Sequence, residues 1–239
     1  MSDSVAAPKR HGLGRAWKQR LRRRILLTWP ALYAIDRVKY ERSLTQEGEL
    51  EALLSELDGT LAVPGDIIEC GSFLCGTTAC MALHLQQSAC DKHIYACDTF
   101  QGFDPREFAD ERERGDASPD HGFTDNDITY VQRKLQRLGV SHQITLVQGL
   151  FQETLESVSG PFSFSFIDCD LQDSLLYAVR TVWPRLSPGG CCVFDDYAND
   201  RFRGATKAIE TFLDENSHSI SAHGRLSHKM YFAHKRESR

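Results

Sequence analysis

From Pro64 onward the sequence alternates short apolar runs with stretches of helical period, and this alternation narrows the fold more than any other feature. Residues 66–70, 93–98, 143–147, 162–167 and 190–194 read as strands. Between them, 77–87, 126–138, 152–158 and 173–186 read as helices. Strands joined by helical crossovers lie parallel, with helices covering both sheet faces. A further helix, 204–215, leads to two weaker strands near 218–224 and 229–234, separated by too little chain for a crossover, so they must pair antiparallel. The expected fold class is α/β and Rossmann-like, a seven-stranded, mostly parallel sheet with a C-terminal antiparallel hairpin. Upstream, Leu50, Leu53, Leu54 and Leu57 share one face of a helix over 46–57.

With 239 residues the chain can bury one sheet-and-helix core, so one domain over 46–239 is expected, preceded by an accessory helical segment over 1–45. The formal charge of -5 is unevenly spread. Residues 1–42 carry eleven Lys or Arg against three Asp or Glu, and the rest carries seventeen against thirty. The basic head mixes Trp17, Leu21, Ile25 and Trp29 with arginines and is broken by Pro30. Packing on the body, capping a homo-oligomer or lying on a membrane surface each suit this pattern; so does a solvated tail. Its apolar stretch is short, is interrupted by Trp29-Pro30, and lacks a cleavage signature, which argues against a secretory signal. No run is long enough to span a bilayer. Of eight cysteines, Cys70, Cys97, Cys169, Cys191 and Cys192 sit in apolar runs where cysteine acts as a small hydrophobe, and Cys75 and Cys80 lack metal-ligand spacing. A reducing cytoplasm is expected, with peripheral membrane contact through the head left open and no nucleic-acid partner.

Residues 103–125 fit no element in this reading; the acidic and basic stretch is too long for an ordinary connection and reads as a lid over a site, or else as an unstructured insertion. His121 within it is a base, a substrate contact or a solvated side chain. His84 and His142 read as structural.

In open α/β sheets ligands bind outside the carboxyl ends of the strands. The first candidate strand runs into Glu69-Cys70-Gly71-Ser72-Phe73-Leu74-Cys75-Gly76-Thr77-Thr78, whose glycines permit close backbone approach to a ligand at a helix N-terminus. The loop is neither a G-x-G-x-x-G fingerprint nor a P-loop. Asp98, 29 residues after Glu69, ends the second strand. A carboxylate there can accept both hydroxyls of an adenosine ribose, or it can form the turn before Thr99 and Phe100.

Asp168 and Asp170 are two apart on an extended segment and face the same way. Asp195 and Asp196 end the next strand, so up to four carboxylates meet at one rim. Their repulsion calls for a countercharge. A hard divalent cation such as Mg²⁺ supplies it and leaves positions open for substrate hydroxyls. Alternatively these aspartates cap the following helices or pair with Arg201, Arg203 and Lys207.

Taken together and in order, Ile68-Glu69-Cys70-Gly71 with Gly76-Thr77-Thr78, Asp98-Thr99-Phe100-Gln101-Gly102, Gly149-Leu150-Phe151-Gln152-Glu153-Thr154-Leu155, Asp168-Cys169-Asp170, Leu186-Ser187-Pro188-Gly189-Gly190 and Asp195-Asp196-Tyr197 with Gly204-Ala205 resemble the macrocin O-methyltransferase (TylF-like) sugar methyltransferases. The resemblance covers roughly 64–212. It implies a class I S-adenosylmethionine-dependent methyltransferase fold, S-adenosylmethionine and Mg²⁺ as cofactors, and a sugar-containing metabolite, glycolipid or glycan as acceptor. It implies Asp168, Asp195 and Asp196 as metal ligands and Asp170 as general base. Glu69, Gly71 and Asp98 would line the cofactor together with Ser72, Thr77, Thr99 and Asp168, and Gln148 and Gly149 would lie near the adenine. The family pattern D-x-D-x-Y-x-S is broken here, where Gln172 takes the place of the aromatic residue.

Two other functions suit the same parts. A catechol-type O-methyltransferase would also use a metal, but commonly a lysine base, and no lysine stands near Asp168 in the sequence. A cofactor-binding scaffold without catalysis would have no need of Asp170.

Overall fold

The computed structural model describes residues 47–118, 122–124 and 126–237. The basic head, His121 and Asp125 lie outside the described residues.

Seven strands form one sheet in the order β3-β2-β1-β4-β5-β7-β6. They are β1 (Asp66–Cys70), β2 (Ile94–Asp98), β3 (Ile144–Gln148), β4 (Phe162–Ile167), β5 (Leu186–Phe194), β6 (Ile220–Arg225) and β7 (Tyr231–Lys235). The first five are mutually parallel, and β7 runs antiparallel to both β5 and β6, as the short connection requires. The chain moves outward from β1 to β3 and then returns to place β4 against the other side of β1. This makes the gap between the carboxyl ends of β1 and β4 the topological switch point where ligands bind in such sheets.

Alternation along the strands builds two cores. Ile67, Phe164, Phe166 and Val193 face one side and pack with α1 (Glu47–Gly59), α2 (Gly76–Gln87) and α4 (Ile128–Leu138) through Leu53, Met81 and Val131. Ile68, Ile167, Cys192 and Phe194 face the other and pack with α6 (Gln172–Val182) and α7 (Arg203–Asn216) through Leu175, Val179, Ile209 and Phe212. The short α5 (Phe151–Thr154) lies in the β3–β4 connection. All eight cysteines are free.

Four expectations need correction. The helix expected over 152–158 is one α-turn followed by a 3₁₀ turn at Leu155–Ser157, and α6 gives way at Val182 to another at Trp183–Arg185, where Pro184 lacks the N–H a continuing helix needs. β5 starts at Leu186, earlier than residue 190, because Leu186 already pairs with Phe162. The segment 103–125 contains α3 (Pro105–Arg114). It has a complete set of end signals: the Asp104 carboxylate accepts from Arg106 N, Pro105 occupies the first turn, and Gly115 closes the helix at φ 75°. Its apolar stripe is a lone Phe108, which is why periodicity did not reveal it.

Candidate active site

The loop after β1 is held against the sheet from below. Gly71 N donates to Cys97 O at 2.9 Å and Asp168 N to Cys70 O at 2.8 Å, closing the switch point by backbone alone. Gly71 sits at φ +90° in this seam. Glu69 is buried and accepts the Thr78 hydroxyl, tying the end of β1 to the first turn of α2. Burial pushes its carboxyl up to about 8. Ser72 and Thr77 are also buried. The Ser72 hydroxyl makes no hydrogen bond of good geometry, with the Cys75 thiol within reach of it. Cys75, at φ 52°, precedes α2 without a side-chain cap, so the N–H groups of a twelve-residue helix open toward the loop uncapped by a side chain. A buried hydroxyl with at most a thiol for a partner, a side-chain-free glycine and an uncapped helix start suit a polar, partly anionic ligand.

Asp98 does what the plainer reading required and remains available for more. Its Oδ1 accepts from Phe100 N at 2.6 Å and its Oδ2 from Phe73 N at 2.8 Å, which ties the loop after β2 to the loop after β1. Each carboxylate oxygen keeps a further lone pair. Burial raises its pKa, and the two backbone donors pull it back. Gly149 N reaches Asp98 O at 3.1 Å, and Gln148 Nε2 reaches Thr99 O at 3.4 Å. Asp98, Thr99, Gln148 and Gly149 thus form one corner.

Past the switch point the four aspartates come together. Asp168, Asp195 and Asp196 each offer an oxygen within 4.8 Å of the others. Asp170 lies within hydrogen-bonding reach of Asp196. Asp170 and Asp196 both adopt φ 61°, a left-handed conformation costing a non-glycine residue on the order of 1 kcal/mol and concentrated at functional sites. Burial first, then neighbouring carboxylates, holds the pKa of Asp168 and of Asp170 well above the ordinary range and that of Asp195 at about 6. Asp195 is 3% exposed, and its Oδ1 makes no hydrogen bond of good geometry. Three convergent hard oxygen donors with one orphaned lone-pair set fit a divalent cation.

The aspartates do not cap the next helices. Leu171 and Phe202 precede α6 and α7 without side-chain caps. The start of α6 is instead satisfied from α3: Glu111 accepts from Gln172 N, and Glu107 accepts from Ser174 N at 2.8 Å. Nor is the countercharge Lys207, which pairs with Asp116 at 2.7 Å. It is Lys229, in the turn between β6 and β7, whose Nζ lies 2.6 Å from Asp195 Oδ2 and 3.7 Å from Asp196 Oδ1. Burial disfavours its charge, but Asp195, Asp196 and Asp168 outweigh burial and hold its pKa above the usual value. The sequence reading, which looked for lysines near Asp168 along the chain, missed it; the signal was the antiparallel pairing that lays Tyr231 beside Phe194.

The described part of the segment after β2 packs beside this rim, against Leu171 next to Asp170. Phe103, Phe108 and Phe123 pack on Ala117, Leu171 and Phe202, with the Phe103 ring 5.2 Å from those of Phe108 and Phe123. Ser118 N donates to Arg201 O at 2.8 Å and Arg203 N to Asp116 O at 2.8 Å. Where the family pattern has an aromatic, Gln172 stands at the first position of α6 and its backbone N–H donates to Glu111. An open cleft of about 770 Å³ beside α3, lined by Arg112, Ala117 and Arg201 among others, is not bordered by the rim aspartates. His84, read as structural, contacts Asp58 at 2.6 Å.

Comparison with known proteins follows the same lines. The chain is 31% identical over 149 residues to the 8-demethyl-8-(2,3-dimethoxy-alpha-L-rhamnosyl)-tetracenomycin-C 4'-O-methyltransferase of Streptomyces olivaceus, covering 60% of this chain and 57% of that protein. It is 28% identical over 171 residues to the mycinamicin III 3''-O-methyltransferase of Micromonospora griseorubida, covering 66% and 63%. The match therefore spans less than two thirds of either relative. Among solved structures, the O-methyltransferase NovP superposes with a TM-score of 0.70 at 18% identity over 82% of this chain and 83% of that one. The calicheamicin methyltransferase CalS11 gives 0.68 at 19% over 98% and 99%. These similarities establish a class I methyltransferase fold. The family model described as macrocin-O-methyltransferase matches residues 36–223, most of the chain, and with the fold and the motifs in place the chain belongs to the macrocin-O-methyltransferase (TylF) family.

Proposed function

We propose that this chain transfers the methyl group of S-adenosylmethionine to a hydroxyl of a sugar in a glycosylated metabolite, with Asp170 as general base. The observation that carries the reading is the convergence of Asp168, Asp195 and Asp196, with Asp170 beside Asp196, at the switch point next to a glycine loop, in a chain of this family. The dimethoxy-rhamnosyl group on the substrate of the Streptomyces olivaceus relative supports the acceptor class. The donor contributes an electrophilic methyl on a sulfonium. Gly71 and the start of α2 receive its polar end, Asp98 its ribose hydroxyls, and Gln148 and Gly149 border its adenine. Asp168, Asp195 and Asp196 would hold a divalent ion such as Mg²⁺, which when bound lowers the pKa of a coordinated hydroxyl. Asp170, projected from a left-handed backbone position two residues past Asp168, takes the hydroxyl proton as the oxygen–methyl bond forms and the carbon–sulfur bond breaks. The phenylalanines over Leu171 exclude water from that step.

Lys229 brings a lysine to the rim, as a catechol-type enzyme would require, but an ammonium paired to Asp195 has no lone pair with which to accept a proton. The basic head, residues 1–42, is the part we assign to a membrane surface or a large acceptor. Equal activity on soluble and lipid-linked acceptors after deletion of residues 1–40 would remove that assignment.

Transfer of labelled methyl from S-adenosylmethionine to rhamnosylated acceptors tests the main reading. Asp170→Asn is expected to lower kcat at least about 100-fold while leaving S-adenosylhomocysteine and Mn²⁺ binding intact. Undiminished turnover in this variant, or failure of the native chain to bind S-adenosylhomocysteine, would refute it.

A further inference from the structure

Three carboxylates at the rim share two kinds of partner. Asp168, Asp195 and Asp196 offer oxygens within 4.8 Å of one another, the spacing of a divalent-ion site. The same three are the carboxylates that act on Lys229. Its Nζ contacts Asp195 Oδ2 at 2.6 Å and Asp196 Oδ1 at 3.7 Å, from a side chain only a quarter exposed. Its backbone is fixed in place, since Tyr197 N donates to Lys229 O at 2.8 Å and the neighbouring Met230 is fully buried. Among the described residues no other cation pairs with Asp195 or Asp196. Meanwhile Asp195 Oδ1, buried in the same site, keeps its lone pairs unused. One ammonium therefore does not satisfy the site.

Mg²⁺ requires oxygens at about 2.0–2.1 Å in near-octahedral array. An ammonium nitrogen 2.6 Å from Asp195 Oδ2 and 3.7 Å from Asp196 Oδ1 engages two of the three carboxylates from which that shell would be built. Because Lys229 is tethered, its local concentration is of the order that short linkers give, millimolar or above, so it competes at all times.

We propose that Lys229 is a built-in cation standing where the divalent ion would bind, so that the ion must displace it. The inference rests on the metal-site reading of Asp168, Asp195 and Asp196. It assigns Lys229 two effects: weakened affinity for divalent cations, and a rim that keeps its carboxylates compensated when no ion is present. Lys229 is thus a positioning residue rather than a catalytic one.

The test measures Mn²⁺ binding to the full chain by electron paramagnetic resonance, together with Tm in EDTA and in Mg²⁺. Lys229→Met is expected to bind Mn²⁺ at least tenfold more tightly than the native chain, and Lys229→Arg, which keeps the charge, to bind it as the native chain does. The Met variant's Tm should fall in EDTA and recover with Mg²⁺, whereas the native Tm should differ little between the two. Should the Met variant fold poorly, Lys229→Gln, which removes the charge but keeps a donor toward Asp195, makes the same comparison. Equal or weaker Mn²⁺ affinity in the uncharged variants overturns the inference while leaving the metal site standing. Absence of Mn²⁺ binding in every variant, or binding that survives Asp195→Asn, removes the metal site itself and the inference with it.

Discussion

Gly71 lies against the backbone of Asp168 so closely that a Cβ added to it would fall 1.9 Å from the Asp168 carbonyl oxygen. The two residues directly follow adjacent parallel strands, and the contact draws the loop after β1 and the carboxylate rim onto the same few ångströms of backbone. Gly71→Ala would force these strand ends apart and place an alanine at φ +90°. Left-handed strain and overpacking together predict a loss of about 3 kcal/mol in urea denaturation and a matching collapse of S-adenosylhomocysteine affinity. A variant with native midpoint and native affinity would contradict the seam.

Asp98 joins two loops through Phe73 N and Phe100 N and is the residue proposed to accept the ribose hydroxyls. Asp98→Asn removes the charge, and its amide can satisfy only one oxygen's worth of these donors. Losing a charge-assisted hydrogen bond of about 1.5–3 kcal/mol predicts S-adenosylhomocysteine binding weakened about 10- to 100-fold by calorimetry. Mn²⁺ affinity should stay unchanged, because Asp98 is not among the three clustered carboxylates.

Glu111 is fully buried, accepts from Gln172 N, and is held by burial at a pKa of about 7. The folded value lies above the ordinary 4.5, so between those limits the folded chain binds more protons than the unfolded one. Its contribution to stability is therefore full at low pH and is lost as pH rises toward about 7. From pH 5.5 to 8 this amounts to at most about 2 kcal/mol. Glu111→Gln should flatten that part of the profile in denaturant titrations at the two pH values, and an unaltered slope would count against the assignment.

Glu107 ties α3 to the start of α6 through Ser174 N at 2.8 Å and the Ser174 hydroxyl at 2.5 Å. Glu107→Ala should cost about 1–3 kcal/mol and increase protease cleavage within residues 103–118. Cleavage at the native rate would show that the aromatic contacts alone hold α3 down.

Strand and helix order, the antiparallel final pair and the four rim aspartates could all be read along the chain. Each rests on local information: side-chain period, glycine and proline placement, and residues two apart on an extended segment. Two features could not be read that way. Helix α3 has good end signals but almost no apolar stripe, and what secures it is the fit of Glu107 and Glu111 to the open amides of a distant helix start. Lys229 reaches the aspartates because β7 pairs antiparallel with β5, Tyr231 opposite Phe194, so the turn before β7 arrives where β5 ends. The sequence by itself determined where negative charge would collect, since strand ends are local. Only the tertiary structure decided which cation would meet it, because charge pairing depends on distance in space, and that is set by sheet topology.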